Sequence, residues 1–424
     1  YGLMREIKAL FDPHNVLNPG VILNDDPEIH TRNIKPMAAV DPLVDKCIEC
    51  GFCEPNCPSR ALTLSPRQRI VGLREIARLQ AAGGENRRLQ DMVAAYAYQG
   101  VETCAADSLC SLTCPVGINT GAMMLKKRSQ QRGAAAQWIG DLAANFFTDV
   151  TAVARLGLTA AALSHRMVGA WALGGVAKVA HQLSGSRIPL WNRYMPTASA
   201  MPKPERGGPP GRPRVVYFPS CASRTMGPAS GDPEQESLPV KTVALLRKAG
   251  FEVILPESST ALCCGQPFAS KGLPYPADVK RREVEQALLK ASRHGQDPVV
   301  FDTSPCAWRL KQSLAQPSLK LYDITEFLHD VVLERLTLRK LPETVALHPT
   351  CSTTNMGLQT KLKAIAEACV ENVIIPDRIS CCGWAGDKGF TYPELNASAL
   401  RDLKAALPDD CQSGYSTSRT CEIG

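Results

Sequence analysis

The sequence lacks the glycine-rich loops that bind nucleotides, since neither G-x-G-x-x-G after a strand nor G-x-x-x-x-G-K-[ST] occurs in its 424 residues. It also lacks an uncharged apolar run of the roughly 18 residues that a membrane-spanning helix needs. The Ala-rich stretch 134–183 comes nearest, but five charged residues interrupt it: Asp141, Asp149, Arg155, Arg166 and Lys178. These absences predict no nucleotide cradle and no membrane span in this stretch of chain.

A basic stripe with interleaved aromatic residues, as nucleic acid would require, is missing as well. The formal net charge of +7 is modest and spread over the chain. The densest basic stretch lies within 188–214, which is rich in Pro and Gly and therefore indicates a semi-rigid linker at a domain boundary. Nucleic acid is not an expected partner.

Cysteine, in contrast, is abundant, with 17 residues. A chain of this length holds two or three domains with ordinary cores, so it is not a small disulfide scaffold. Metal-binding thiolates need a reducing compartment, which predicts a bacterial cytoplasmic location, free or peripheral on the inner membrane. The chain begins with Tyr1 in mid-pattern, so we expect a fragment of a longer protein in which no targeting signal can be judged.

The first cysteine run has the spacing C-x2-C-x2-C-x3-C-P, formed by Cys47, Cys50, Cys53 and Cys57. In ferredoxins this run gives three thiolates to one 4Fe-4S cluster and its fourth to another cluster. A structural zinc site would favour two separated C-x2-C pairs, and a disulfide would not need four close sulfurs followed by Pro. The spacing therefore predicts electron transfer.

A second run repeats this spacing with Asp107 in place of its second cysteine, and its cysteines are Cys104, Cys110 and Cys114. Sharing between the runs predicts that Cys114 completes the first 4Fe-4S cluster, and that Cys57 joins Cys104 and Cys110 at the second. Asp107 is the candidate fourth ligand there, a harder donor than thiolate. The alternative is that Asp107 points to solvent and the second site is a 3Fe-4S cluster or a cluster with an open corner.

The first residues form a predicted helix stopped by turn chemistry between Phe11 and Gly20. Residues 8–20 resemble the closing segment of the FAD-linked oxidases of the vanillyl-alcohol oxidase superfamily. The resemblance covers residues 1–22 and implies an upstream FAD-binding domain, with His14 and Asn18 as FAD-contacting residues of its tail. Residues 23–42 are polar and Pro-punctuated, which indicates a connector.

Helices bracket both cysteine runs within 43–133, one of them opening at Ser65-Pro66 and another at Asn119. This arrangement resembles the all-helical dicluster ferredoxin modules of respiratory reductases. The helical segment 134–187 is expected to be a hairpin packed on a core. The alternative is an interfacial amphipathic surface with Trp138 and Trp171.

The second half contains one module twice, at 215–340 and 341–424. Strand and helix patterns alternate, and each copy has one cysteine after a strand, two adjacent cysteines before Gly, and one cysteine after a late strand. The matching cysteines are Cys221 and Cys351, Cys263 and Cys381, Cys264 and Cys382, and Cys306 and Cys421. Four thiols that recur in order predict one metal site per module. His348 is expected beside a metal thiolate, and Cys369 and Cys411 are expected to be ordinary thiols.

These modules resemble the cysteine-rich CCG domains of heterodisulfide reductase, glycolate oxidase iron-sulfur subunits and lactate-utilisation proteins, which implies an α/β fold. The family pattern ends in C-x-x-C, whereas Thr303 and Ser418 stand in place of the first of those cysteines. A non-cubane cluster with five thiolates is therefore in doubt. A different iron-sulfur cluster, a zinc ion or metal-free thiols remain open.

The whole order resembles the carboxy-terminal half of fused flavin/iron-sulfur D-2-hydroxyacid dehydrogenases, most closely the D-lactate type. The resemblance implies a multidomain enzyme: an all-α dicluster ferredoxin domain followed by two pseudo-repeated α/β CCG modules. FAD would oxidise the hydroxy acid, and 4Fe-4S clusters would relay electrons singly to a quinone or cytochrome. The alternatives are a heterodisulfide-reductase-like thiol/disulfide oxidoreductase and a non-enzymatic electron-transfer subunit.

Overall fold

The computed structural model describes residues 1–32, 34–83, 87–185, 190–202, 211–377, 379–411 and 413–424. The chain divides into two compact units, Tyr1–Ala39 and Val40–Gly424. The predicted linker 188–214 lies partly outside the described residues.

The first unit consists of helix α1 (Gly2–Phe11) and a series of turns. Asp12 follows the helix, and its carboxylate accepts hydrogen bonds from Val16 N and Leu17 N, both at 2.8 Å. A hydrogen bond from the Lys8 ammonium lowers the pKa of Asp12. The side-chain bonds of Asp12 thus fold the chain back after the helix.

The second unit opens with a helical region that carries both cysteine runs. Ser65 caps α2 through a capping box with Gln68, and Asn119 caps α5 by accepting a hydrogen bond from Ala122 N. The described residues of 43–133 contain no strand. The elements are α2 (Pro66–Ala82), α3 (Arg87–Tyr96), a π-helical turn (Ala97–Glu102), α4 (Leu109–Leu112) and α5 (Thr120–Gln131).

Two further helices, α6 (Ala134–Asn145) and α7 (Phe147–Leu183), follow. The expectation of a core-packed hairpin is wrong for α7, because Phe147 is its one buried residue among those described. Gly169 interrupts α7 with φ of 78° and ψ of 167°. No single described helix is long and apolar enough to cross a membrane. Taken together, α6 and α7 have sufficient length and apolar composition, but the pair is bent by 88° at its junction.

The first CCG module is built on a parallel four-stranded sheet of order β4-β2-β5-β6. Buried side chains of α11 and α12 pack with Phe218 and Phe301 of its central strands. Strand β1 (Pro196–Ala198) lies within the predicted linker and pairs antiparallel with β3. The elements are β2 (Arg214–Phe218), α8 (Cys221–Thr225), β3 (Met226–Ala229), α9 (Leu238–Lys248), β4 (Glu252–Ile254), α10 (Gln266–Ala269), α11 (Pro274–Ala291), β5 (Val299–Phe301), α12 (Ser304–Ser313), β6 (Leu321–Asp323) and α13 (Ile324–Phe327). A π-helical turn (Leu328–Val332) and a 3-10 turn (Leu333–Arg335) end the module.

The second module repeats the plan with a parallel three-stranded sheet of order β8-β7-β9. The two modules are bonded to each other where Ser304 N donates to Thr417 O at 3.1 Å. The elements are β7 (Leu341–His348), α14 (Cys351–Asn355), α15 (Gln359–Cys369), β8 (Val370–Ile374), α16 (Pro393–Ala399), β9 (Ser413–Ser416) and α17 (Arg419–Ile423), with 3-10 turns at Lys388–Phe390 and Lys404–Ala406.

Candidate metal centres

The first candidate centre is a cavity lined by thiols from both cysteine runs, namely Cys47, Cys50, Cys53 and Cys114. The loop that carries the first three turns through Glu49 and Gly51, whose φ angles are 59° and 88°. Glu49 N donates to Cys47 Sγ at 3.4 Å, as backbone amides do at sulfur ligands. Ile70 and Ile118 add an apolar wall.

The second candidate centre is a separate cavity, lined by Cys57, Cys104, Asp107 and Cys110. Asp107 lies between Ala106 and Ser108, which both have left-handed backbone conformations with φ of 52° and 62°. Its Oδ1 accepts a hydrogen bond from Leu109 N at 3.1 Å. Its Oδ2 is buried and has no hydrogen-bond partner of ordinary geometry among the described residues, although the residue as a whole keeps some exposed surface.

Burial raises the pKa of Asp107, while the Leu109 amide, the Cys381 thiol and the Arg69 charge act in the opposite direction. A buried carboxyl oxygen without a partner of ordinary geometry, on a residue that lines a cavity with three thiols, is the expected feature of a ligand. The two cavities divide the cysteines in the way that sharing between the runs predicts. Ligation of clusters by these residues stays a prediction.

Two arginines that the sequence analysis did not single out lie beside the second cavity. Arg69 is 1% exposed, and its Nη1 donates to Cys57 Sγ at 3.6 Å. Its other nitrogens donate to Ser59 Oγ at 2.9 Å and to Gly100 O at 2.7 Å. A signal for Arg69 was present in the sequence, because it precedes Leu73 by four residues and therefore falls on the apolar stripe of α2.

Arg128 is the second of these residues, and it is 2% exposed. Its guanidinium donates to the carbonyl oxygens of Cys104, Val101 and Ser270, while its Nε is buried without a partner in the described structure. Arg128 therefore joins the second cavity to the first CCG module.

The donor set fits iron-sulfur clusters. Burial raises the pKa of Cys53 to about 11 and that of Cys110 to about 12, so both are neutral thiols at pH 7 until a metal displaces the proton. In the described residues, no three His, Cys, Asp or Glu side chains converge closely enough to hold a single metal ion. Thiols spread around a cavity suit a cluster of several irons, and a buried cation nearby suits the negative charge of such a cluster.

The four cysteines of the first CCG module lie in two close pairs, and those of the second module also neighbour one another. Cys221 Sγ lies 3.9 Å from Cys263 Sγ, and Cys264 Sγ lies 3.2 Å from Cys306 Sγ. Hydrogen bonding with the thiols of Cys263 and Cys306 lowers the pKa of Cys264 well below its usual range. Gly265 follows with φ of 82°, and a Cβ there would lie 2.3 Å from Ala277 O, so only glycine fits.

In the second module, hydrogen bonds from Cys381 and Cys421 lower the pKa of Cys382 well below its usual range, with His348 contributing. A hydrogen bond with Cys351 raises the pKa of Cys381. His348 thus stands beside a cysteine thiol, as its place at the end of β7 indicates.

Thr303 and Ser418 stand where the CCG family pattern has cysteine, and their hydroxyl groups have different neighbours. Thr303 Oγ1 is within 2.9 Å of Ser220 Oγ and 3.1 Å of Asp302 Oδ1, in a buried polar network. Ser418 Oγ lies 3.1 Å from Thr420 Oγ1. Both hydroxyls are hydrogen-bonded within their own modules.

The second CCG module abuts the second cavity. Asn355 Nδ2 donates to Asp107 O at 2.9 Å, and Ser380 Oγ donates to Asn56 O at 3.2 Å. The Cys381 thiol is close enough to the Asp107 carboxyl to affect its pKa. The cysteines of the second module therefore adjoin the second centre.

Three family models match parts of the chain. A 4Fe-4S dicluster domain matches residues 43–118, a cysteine-rich domain matches 215–311 and 345–423, and the C-terminal domain of FAD linked oxidases matches 1–22. The chain therefore contains a 4Fe-4S dicluster domain and two cysteine-rich domains. No solved structure matches it.

Similar proteins include lactate utilization protein A of Oceanobacillus iheyensis, 27% identical over 38% of this chain and 70% of that protein. Lactate utilization protein A of Macrococcus caseolyticus is 29% identical over 35% of this chain and 64% of its own length, slightly under two thirds. The glycolate oxidase iron-sulfur subunit of Escherichia coli is 24% identical over 86% of this chain and 84% of that subunit.

Proposed function

We propose that this chain is the electron-transfer part of a flavin-dependent dehydrogenase that oxidises a D-2-hydroxy acid, with D-lactate as the favoured substrate and glycolate as an alternative. The names of its relatives, lactate utilization protein A and glycolate oxidase iron-sulfur subunit, support the substrate class. The match of residues 1–22 to the end of FAD linked oxidases supports an FAD-binding domain as the direct partner. The acceptor is a quinone or a cytochrome.

The observation that carries this proposal is the division of seven cysteines and Asp107 between two adjacent cavities. When bound, a 4Fe-4S cluster in each cavity supplies one-electron transfer, which converts the two-electron chemistry of a flavin into single steps. The chain's own residues hold the clusters, exclude water and bring the second CCG module against the second centre. The eight module cysteines hold a further iron-sulfur cluster or act as free thiols, and zinc is disfavoured because no three such side chains in the described residues converge on one ion.

Anaerobic purification of the chain, with iron and sulfide analysis and EPR of the reduced protein, tests the proposal. We expect a brown protein with about eight irons if the dicluster domain alone is loaded, and more if the CCG modules also hold clusters. A colourless protein without acid-labile sulfide would contradict the proposal.

A heterodisulfide-reductase-like activity is the second candidate, and the close thiol pairs favour it. Cys264 and Cys306 lie 3.2 Å apart, with one thiol favoured as the thiolate. A thiolate beside a neutral thiol is the arrangement that attacks a disulfide. Thiol release from a small disulfide by the reduced chain, without any hydroxy acid, would favour this activity.

We also propose that α6 and α7 dock on an anionic bilayer, which would place the protein peripherally on the inner face of the cytoplasmic membrane. Trp171 is 93% exposed and Met167 is 76% exposed, on a helix with almost no buried residues. Residues 150–183 contain cations but no Asp or Glu: Arg155, Arg166 and Lys178. Exposed apolar residues among unopposed positive charges complement the head groups and acyl chains of anionic lipid.

A further inference from the structure

The two cluster cavities differ in how the arginines beside them are neutralised. At the first cavity, Arg67 pairs with Glu54 at 2.9 Å. Arg74 pairs with Glu49, in the same loop, at 2.6 Å. The positive charges near the first cavity are therefore balanced by carboxylates of the protein itself.

At the second cavity, the two buried arginines have no such partners. Arg69 and Arg128 donate to thiol, hydroxyl and carbonyl groups, and neither forms an ion pair with any acidic side chain in the described residues. Lys388 of the second module, on which the charge of Arg128 acts, is paired with Glu102 at 2.6 Å. The surplus positive charge thus belongs to Arg69 and Arg128.

Isolated buried charges are costly, so Arg69 in the lining of the second cavity and Arg128 on the carbonyl oxygen of Cys104 indicate that an anion belongs in that cavity. The charges of Arg132 and Arg69 also act on Arg128, whereas Glu102, which attracts it, is already paired with Lys388. Asp107 does not remove the surplus if it is a ligand, because a carboxylate carries the same charge as the thiolate it replaces.

A cationic group and a hydrogen bond to a ligand sulfur both favour the more negative, reduced state of an iron-sulfur centre. Arg69 supplies both, since its Nη1 donates to Cys57 Sγ at 3.6 Å. Arg128 brings a positive charge close to the second site, because its guanidinium donates a hydrogen bond to the carbonyl oxygen of Cys104.

We propose that Arg69 and Arg128 raise the reduction potential of the second site above that of the first. A single electron in the dicluster domain then resides at the second site, beside Cys381 of the second module. This inference rests on the proposed function only in requiring that both cavities hold clusters.

An EPR-monitored redox titration of the anaerobically purified chain tests it. In the wild type, the site assigned to Cys57, Cys104 and Cys110 has the higher potential. Arg69→Gln should make reduction of that site about tenfold less favourable, which is a decrease of about 59 mV for one electron, and should leave the other signal unchanged. Arg69→Lys, which keeps the charge, should recover part of the loss.

Arg74→Gln is the matched control, because its charge is neutralised by Glu49, and we expect a smaller shift of either signal. If Arg69→Gln loses the second cluster while Arg69→Lys retains it, charge compensation is supported, and Arg128→Gln then reports the potential. The inference alone would be overturned if substitution of Arg69 or Arg128 changed neither reduction potential, or if the first site had the higher potential. Absence of both spectra from the wild type would instead overturn the proposed function.

Discussion

Asn355 donates a hydrogen bond to the backbone carbonyl of Asp107 at 2.9 Å, and so joins the helix that begins at Cys351 to the loop of the second cavity. The second CCG module and the second centre therefore share a contact, although their residues are far apart in the sequence. The second cavity is therefore in contact with the second module, and the groups of thiols follow one another in the order first cavity, second cavity, second module.

Asp107→Cys tests the carboxylate ligand. The substitution restores the ferredoxin pattern, so we expect the EPR spectrum of the second site to change to that of an all-cysteine 4Fe-4S cluster, with stronger retention of iron. Asp91→Cys, on the exposed surface of α3, is the control and should leave both spectra unchanged. An unchanged second spectrum in Asp107→Cys would show that Asp107 is not a ligand.

Cys264→Ser tests what the CCG modules hold. If they hold iron, iron content should fall toward the eight or so atoms of the dicluster domain, and if they hold zinc, zinc content should fall instead. Cys369→Ser is the matched control, because Cys369 lies at the end of α15 and is not one of the eight recurring cysteines of the modules. Metal content that Cys264→Ser leaves unchanged would mean that this module acts through free thiols.

Glu102→Gln tests the ion pair that connects the dicluster domain to the second module. Burial and repulsion by Arg128 lower the pKa of Lys388 to about 8. At pH 7 the lysine is therefore charged, and the ion pair with Glu102 stabilises that charge. We expect Glu102→Gln to lower the free energy of unfolding by about 2 kcal/mol at pH 7, between the values for exposed and buried pairs. Anaerobic urea unfolding measures it.

The effect of Glu102→Gln should decrease above pH 8, because Lys388 then loses its proton in the folded state. The unfolded lysine keeps its proton up to its ordinary pKa of 10.5, so the wild-type contribution of Lys388 to stability rises with pH between about 8 and 10.5. Glu367→Gln removes an exposed pair with Lys363 and should change stability by a few tenths of a kcal/mol at most. An effect of Glu102→Gln that is equal at pH 7 and pH 9.5 would contradict the assignment.

The double variant Met167→Ser/Trp171→Ser tests the bilayer surface. The wild type should float with vesicles of phosphatidylglycerol and phosphatidylcholine and bind phosphatidylcholine alone less well, and the double variant should lose most of this binding. Tyr415→Ser removes an exposed aromatic residue from β9 and is the control. Equal vesicle binding by all three proteins, or a concentration-dependent dimer that the double variant abolishes, would contradict the lipid assignment.

Local features were largely predictable from the sequence. The cap at Ser65, the strands that begin near Val215 and Val299, and the grouping of Cys57 with the second run all depend on short-range spacing or on a recurring motif. The exposure of α7 was not predictable, because an Ala-rich helix with apolar residues all round has the same composition whether or not another element covers it.

Contacts between distant segments were also beyond the sequence. Nothing in the local pattern of Asn355 or Lys388 indicates a partner in the dicluster domain, because such contacts depend on how whole domains pack. Arg128 is similar: it follows Lys126 and Lys127 in the sequence, a position typical of an exposed basic helix end, whereas the structure buries it under the first module.

The enclosed setting of Cys57, Cys104 and Cys110 also bears on how the protein matures. Each of these thiols is at most 7% exposed in the docked chain, whereas Cys50 remains open to solvent. The thiols of the second pocket are therefore less accessible to iron and sulfide than Cys50 is, so we expect that pocket to be filled during biosynthesis, before folding is complete. Oxygen damage and later repair would then begin at the loop of Cys50, on the outer surface.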